Sequence, residues 1–465
     1  MTITHTTPSS GRLRHPGAVL TIILVSYFMI VLDNSIIFTG LPQIAAELDL
    51  TPAGLSWVQN AYTLVFGGLL LLGARAGDLL GRRRVFIAGL AVFDIASLLV
   101  GVAPTETWMI AARALQGVGA AIVAPTSLAL VTATMAPGRE RTRAVAAYGA
   151  TAGIGASLGL VVGGALAEWV SWRAGFFINI PIAIAMILAA LHYLPVFPAQ
   201  RGRFDLLGAV TATLGMGSLV YGIVDAGENG WAAATIPIAV GVVLLAGFVI
   251  TEWRATQPIL PLRLFASRER SGAAVARLLF AGTMIAFFFF TTQYWQGAYD
   301  WNPLQAGLAF LPMTAVQFLL SLPVPHLTRR FGNGILVSVG LALVVAGLAW
   351  LTQLTPDTGY LIGFLPALLL IGLGQGLCFG PLTAAGIAGA RIEDAGAASG
   401  LVNTAHQLGA TLGIAVLTTT AAGAATLAEH VVTAYIGGTI MTTLSLILAL
   451  TLILPADLAT RRARH

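Results

Sequence analysis

The run Ala18-Val-Leu-Thr-Ile-Ile-Leu-Val-Ser-Tyr-Phe-Met-Ile-Val-Leu32-Asp33-Asn34-Ser35-Ile36-Ile37 is apolar along its whole length except at Asp33. About 20 such residues suffice to carry a helix across a bilayer. A carboxylate near the middle of one costs roughly 2.5–3.5 kcal/mol unless it is paired, hydrated or protonated. Asp33 therefore marks an intramembrane site that takes up and releases a proton or a cation.

Composition extends this reading to all 465 residues, of which 57% are apolar and only 9% charged. A soluble domain carries about 25% charged residues, so this chain is not one. Its 53 glycines suit helices packed closely in lipid. The net charge of +5 comes from arginine alone, and the single cysteine, Cys378, excludes an intrachain disulfide and a thiol-metal cluster. The arginines fall in short clusters between apolar runs, which is a membrane-topology pattern and not a nucleic-acid surface.

Hydropathy predicts about fourteen spanning helices, near 18–42, 54–74, 84–103, 107–133, 143–167, 174–194, 205–224, 234–252, 272–295, 305–325, 333–353, 359–386, 397–419 and 433–455. Gly, Ala and Thr dilute the signal at 205–224 and 397–419. One set of connecting segments holds arginine: Arg12 and Arg14, Arg75 and Arg82 to Arg84, Arg139 to Arg143, Arg201 and Arg203, Arg254 to Arg270, Arg329 and Arg330, Arg391, and Arg461 to Arg464. The alternate set holds mainly acids: Glu47, Asp49, Glu106, Glu168, Asp225, Glu228, Asp300, Asp357 and Glu429, with Arg173 the exception. The positive-inside rule then puts both termini in the cytoplasm. The first span, preceded by Arg12, Arg14 and His15, is read as a retained helix and not as a cleaved leader, because of its length and Asp33.

The expected organisation is a cytoplasmic tail (1–17), a six-helix bundle (18–194), two inserted helices (205–252), a cytoplasmic loop (253–271), a second six-helix bundle (272–455) and a tail (456–465). Two related turns support the repeat. Gly77-Asp78-Leu79-Leu80-Gly81-Arg82-Arg83-Arg84 follows the second span, and Thr328-Arg329-Arg330-Phe331-Gly332 occupies the corresponding place in the second half. Repeats of this kind place a transport site between the halves near the midplane.

Three motifs carry mechanics. In the turn Gly73 to Arg84, glycines Gly73, Gly77 and Gly81 allow close approach of helix ends, and Asp78 caps a helix or pairs with Arg82 and Arg83; an ordinary basic loop competes with this gate. In Arg113-Ala-Leu-Gln116-Gly117-Val-Gly119, a membrane-embedded arginine stays charged and needs a partner or water. In Gly149 to Gly164, glycines at 155, 159 and 163, with Gly164, form a flat face for another helix. Simple packing explains that face equally well.

Together these motifs resemble the major facilitator superfamily, specifically its fourteen-helix branch of drug:proton antiporters, over essentially the whole chain. Further matches are Leu32-Asp33-Asn34-Ser35-Ile36 to Leu41-Pro42, Ser171-Trp172-Arg173 to Asn179-Ile180-Pro181, and Leu304-Gln305-Ala306-Gly307 to Leu311-Pro312. The resemblance implies an all-α polytopic membrane protein of two six-helix bundles with two helices between them. It also implies a plasma-membrane exporter of small hydrophobic or cationic compounds, drugs or antibiotics, driven by proton entry. Proton coupling would fall to Asp33 and Arg113, with Asp94 and His406 as further titratable candidates. An amphipathic substrate cavity would draw on Asn34, Gln59, Asn60, Tyr62, Gln116, Gln293, Tyr294, Trp295, Gln296 and Asn403, though helix packing competes at each position. Three departures stand out. Leu160 replaces the proline that follows the central glycine of the antiporter motif, His406 stands where related sequences often have arginine, and Asp94 is unusual. Arg277, early in the ninth span, is expected to snorkel to the cytoplasmic face.

No phosphate-binding loop, metal-ligand spacing or nucleophile elbow is present, so an enzyme is not expected, nor a metal, a cofactor or a nucleic-acid partner. The expected partners are a small molecule, the proton and the bilayer, with the protein acting as a monomer. An uptake symporter, an exporter of an endogenous metabolite and a receptor without proton coupling remain the rival readings.

Overall fold

The computed structural model describes residues 15–136, 138–197, 204–255, 258–355, 358–391 and 394–462. The segment 1–14, with Arg12 and Arg14, lies outside them, as do Arg201, Arg203, Asp357 and Arg464. The described residues are almost wholly helical. The spanning helices are α1 (Pro16–Leu48), α2 (Pro52–Leu80), α3 (Arg82–Gly101), α4 (Glu106–Thr134), α5 (Arg139–Trp169), α6 (Ala174–Tyr193), α7 (Leu206–Asn229), α8 (Trp231–Arg254), α9 (Arg268–Ala298), α10 (Pro303–Ser321), α11 (Asn333–Leu351), α12 (Tyr360–Ile387), α13 (Ala395–Ala421) and α14 (Leu427–Arg462). Thirteen of them are long and apolar enough to cross a bilayer by hydropathy. The remaining one, α13, has the necessary 27 residues, and Asn403, Thr404, His406 and Gln407 dilute its apolar character. The last helix, expected to end near 455, continues to Arg462 through a π-helical stretch at Ala449–Ile453.

Local chemistry sets the helix starts. Thr51, Thr105, Asp205, Ser267 and Thr426 each accept a hydrogen bond from an amide in the first turn. Asn302 and Gln305 form a reciprocal capping box, with Pro303 at the first helical position of α10. The two repeat-related turns reverse at glycines of nearly equal conformation, Gly81 at φ 95° and Gly332 at φ 93°. Both values lie where a side chain would be strained. This gives the degraded sequence repeat a common backbone geometry.

Helices α1–α6 pack as one bundle and α9–α14 as a second, while α7 and α8 pair with each other and α7 lies against α2 and α13. Contacts between bundles run along α2 and α13, where the Thr63 and Thr411 hydroxyls are 2.8 Å apart, and between α5 and α10. The α5–α10 contact is tight: a Cβ at Gly164 would lie 2.4 Å from the Pro303 carbonyl oxygen, and one at Gly307 would lie 2.3 Å from that of Leu160. Gly153 shares the helix face of Gly164, about three turns away, yet a Cβ there meets nothing within 4 Å. Along α5 and α10 the bundles therefore touch toward the acid-bearing ends and part toward the arginine-bearing ends, whereas α2 and α13 stay in contact there, a Cβ at Gly400 falling 2.2 Å from Leu71. With Leu160 in place of proline, α5 runs unbroken over 31 residues.

Candidate functional site

Asp33 sits at the middle of α1 and points into the first bundle, away from lipid. Its side chain and that of Arg113 on α4 are both fully buried, and Arg113 Nη1 donates to Asp33 Oδ2 at 3.1 Å. Asp33 Oδ1 accepts from Gln116 Nε2 at 2.9 Å and from Asn179 Nδ2 at 2.7 Å. Both amides also reach Ser97 Oγ, at 2.9 Å and 3.3 Å. The guanidinium donates from Nε to the Val58 carbonyl at 3.0 Å, from Nη1 to Gln116 Oε1 at 2.6 Å and from Nη2 to Gln59 Oε1 at 3.3 Å. The Tyr62 ring lies 4.3 Å from its central carbon.

Removing two charges from water costs several kcal/mol per ion, and a buried pair recovers that only when its remaining donors and acceptors are also satisfied. Here five helices contribute to doing so: α1 and α4 bring the charges, α2 brings Gln59 and Val58, α3 brings Ser97 and α6 brings Asn179. The carboxylate, on α1, is a shared acceptor for donors of two helices, α4 and α6. Neutralising it would release donors on α4 and α6 together and leave the arginine with amide and carbonyl acceptors only. Such an arrangement can convert a protonation event into a change of helix packing.

The other expected residues distribute as follows. Gln59 and Gln116 belong to the charge network, and Gln59 Nε2 also donates to Asn34 Oδ1 at 3.0 Å. Asn60 is buried with both amide atoms unpartnered, and the Tyr62 hydroxyl is likewise unpartnered. Gln296 crosses between bundles, donating to the Thr39 carbonyl at 3.0 Å. Gln293 bonds back to Phe289 on its own helix. Tyr294 and Trp295 pack inside the second bundle among Tyr299, Trp301, Phe310, Tyr360 and Phe364, remote from Asp33. Asn403 is exposed and bonds to the Ser399 carbonyl.

Asp94 is half-buried on α3, and its Oδ1 has no hydrogen-bond partner. His406 is half-buried on α13 in the other bundle, with Nδ1 unpartnered and its ring set edge-on to Phe379 at 6.0 Å. The expectation for Arg277 is corrected. It is 3% exposed and lies beneath the Phe379 ring at 3.8 Å, covered by protein on all sides.

The residues expected to form a gate lie within the first bundle. A Cβ at Gly73 would stand 2.1 Å from the Ala121 carbonyl oxygen, so glycine is what lets α2 lie against α4. Asp78 pairs with Arg82 at 2.9 Å, and Arg83 donates to the Leu191 carbonyl on α6. The glycine face of α5 divides its work. Gly155, Gly159 and Gly163 seat it on α1, a Cβ at Gly163 falling 2.6 Å from the Ile36 carbonyl oxygen, whereas Gly164 meets α10 of the other bundle. Near the other end of α1, Glu47 accepts from Arg173 at 2.7 Å and from the Trp172 indole at 2.6 Å.

A profile of the Major Facilitator Superfamily matches residues 23–414. The chain belongs to this family. It is 40% identical over 449 residues to a cephamycin export protein of Amycolatopsis lactamdurans, covering 94% of this chain and 92% of that one. It is 38% identical to a puromycin resistance protein of Streptomyces alboniger, covering 88% and 83% respectively. A crystal structure of the nucleoside transporter NupG superposes with a TM-score of 0.65 at 13% identity, over 94% of this chain and 99% of that one, which is a likeness of fold. As a family member the protein is a multi-pass membrane transporter built on two six-helix bundles with α7 and α8 between them.

Two residues of the site were missed at the sequence level. Asn179 stood inside a quoted motif, but its role depends on α6 crossing α1, which local pattern does not reveal. Ser97 carries no signal at all, since serine in a membrane helix is ordinarily bonded to its own backbone, as here to Phe93.

Proposed function

We propose that this protein is a proton-coupled exporter of small, largely hydrophobic molecules of the antibiotic kind, working by alternating access in a bacterial plasma membrane. The cephamycin export and puromycin resistance of its relatives support export and resistance, and the fully buried Asp33–Arg113 pair carries the proposal of proton coupling. Both termini and the arginine-bearing loops lie on the cytoplasmic side, in keeping with the positive-inside rule. The divergence of α5 and α10 toward those loops then corresponds to a conformation open to the cytoplasm. The chain functions as a monomer with no cofactor, and an ion gradient supplies its energy.

In this mechanism a proton reaches Asp33 from outside and leaves toward the cytoplasm. Charged Asp33 holds Arg113, Gln116 and Asn179 together, whereas neutral Asp33 frees α4 and α6 to shift as the bundles rock. Asp78, Arg82 and Arg83 position the α2–α3 turn that closes the cytoplasmic side in the opposite state, and Asp94 and His406 are secondary proton sites.

Purified protein in proteoliposomes, with an imposed pH gradient and a fluorescent drug, tests the reading. Asp33→Asn is expected to abolish gradient-driven flux while the protein still elutes as a folded monomer. Undiminished proton-driven flux in that variant would overturn the role of Asp33.

A further inference from the structure

Arg277 is a buried cation that the protein leaves without a counter-charge. Arginine does not give up its proton, so a buried guanidinium in a membrane protein needs an anion, a set of carbonyls or water. Arg113 shows what a self-contained solution looks like here, with a carboxylate and three further acceptors. Arg277 has only one long contact, from Nη1 to the Phe379 carbonyl at 3.4 Å, together with the Phe379 ring over its face. Its Nε is buried and unpartnered. No carboxylate among the described residues pairs with it.

The surroundings place this cation between the bundles. Arg277 belongs to α9, Phe379 to α12 and His406 to α13, all in the second bundle. From the first bundle, Tyr27 of α1 lies within reach of the Arg277 charge, as does His406. Tyr27 is stacked on Tyr148 of α5 with ring centres 4.0 Å apart. Beside Tyr148, Gly149 and Gly153 face open space, on the side where α5 and α10 diverge. Phe379 is 40% exposed, and its ring covers the guanidinium at 3.8 Å. His406 Nδ1 is a second buried polar atom without a partner on the same wall.

A buried cation without a counter-charge, covered by an aromatic ring, suits an amphipathic anion. We propose that Arg277 is the anchor for a carboxylate, or a comparable anionic group, on the transported molecule, with Tyr27, Tyr148 and Phe379 packing against its apolar body. This rests on the export reading and sharpens it. The substrate class becomes hydrophobic acids, where the sequence suggested hydrophobic or cationic compounds. Asp33, already neutralised by Arg113, is sealed inside the first bundle and is not free to bind a cationic drug in this conformation.

The test uses three probes with one ring system: 9-anthracenecarboxylate, its methyl ester and 9-(aminomethyl)anthracene, titrated by fluorescence into the full-length protein in detergent. The wild type is expected to bind the carboxylate at least tenfold more tightly than the ester or the amine. Removing a charge-assisted hydrogen bond at the anchor, in Arg277→Gln, should erase about ten- to a hundredfold of carboxylate affinity and leave the ester unchanged. Arg277→Lys should keep part of the preference.

Equal wild-type affinity for acid and ester, or an Arg277→Gln variant that still prefers the acid, overturns the proposal. Should Arg277→Gln fail to fold, the wild-type ranking of the three probes and the Arg277→Lys variant still decide. Flux assays separate this outcome from the broader reading. Carboxylate binding without export would sink the exporter and leave the Arg277 site standing. Export of the amine with no acid preference would do the reverse.

Discussion

Gly164→Ala should change which conformation the protein prefers, and its neighbour Gly163→Ala should not. The new methyl at position 164 would sit 2.4 Å from the Pro303 carbonyl oxygen and 2.9 Å from the Leu304 Cα. The first distance is about 1 Å short of ordinary contact, and the obstacle is backbone, which cannot swing aside. Overpacking of this kind costs about 1–3 kcal/mol. Because the obstacle belongs to the other bundle, the cost exists only while α5 and α10 are together. The conformation described here would lose roughly 5- to 150-fold in population against one in which they part. At Gly163 the methyl meets Ile36 of α1 at 2.6–2.7 Å, inside one bundle. Its cost is paid in both conformations and lowers the melting temperature without moving the equilibrium. A cysteine placed at Gly153, which faces open space, reports the change as a maleimide labelling rate in membranes, and the native Cys378 is fully buried and silent. Gly164→Ala should slow labelling at least fivefold, and Gly163→Ala should leave it alone. Equal effects from both, or none from Gly164→Ala, would refute the division of α5 into a fixed and a transient face.

Two further predictions concern charge. Arg113→Lys should eliminate proton-driven flux and destabilise the protein by about 2–3 kcal/mol, seen as a lower melting temperature, because an ammonium cannot serve Val58, Asp33, Gln116 and Gln59 from one fork. At the arginine-bearing end, Arg263 donates two bonds to Asp394, at 2.9 and 2.6 Å, and holds its carboxyl below the usual carboxylate range. A depressed folded-state value gives stability that is present above the unfolded value and is lost as pH falls through the folded one. Asp394→Asn should therefore melt earlier than wild type at neutral pH and match it once pH drops below the depressed folded-state value, a comparison that a thermal shift series reads directly.

What the sequence made legible follows from which forces are local. Spans, their order and the bundle count depend on hydropathy and caps, and they emerged with edges displaced by a few residues. Asp33 and Arg113 were visible because a charge in an apolar run has few benign explanations. Asn179, Ser97 and Gln59 joined them only through the crossing of five helices, which no spacing encodes. Tyr294 and Trp295 looked like cavity residues by type, but aromatic residues fill bundle interiors just as readily, and ten residues of the aromatic-rich α9 end there. Arg277 failed in the opposite sense: position along the helix suggested the surface, whereas the ring of Phe379 from α12 covers it.

The unbroken course of α5 has a mechanical consequence. A helix without a proline break cannot absorb displacement by bending, so it moves as a rigid arm. Between Gly164 and Arg139 that arm is roughly 37 Å long, and each degree of tilt about the Gly164 contact sweeps its far end by about 0.6 Å. A rotation of only ten degrees or so would thus widen the mouth by several ångströms, enough to admit or expel a drug-sized molecule while the fulcrum barely stirs.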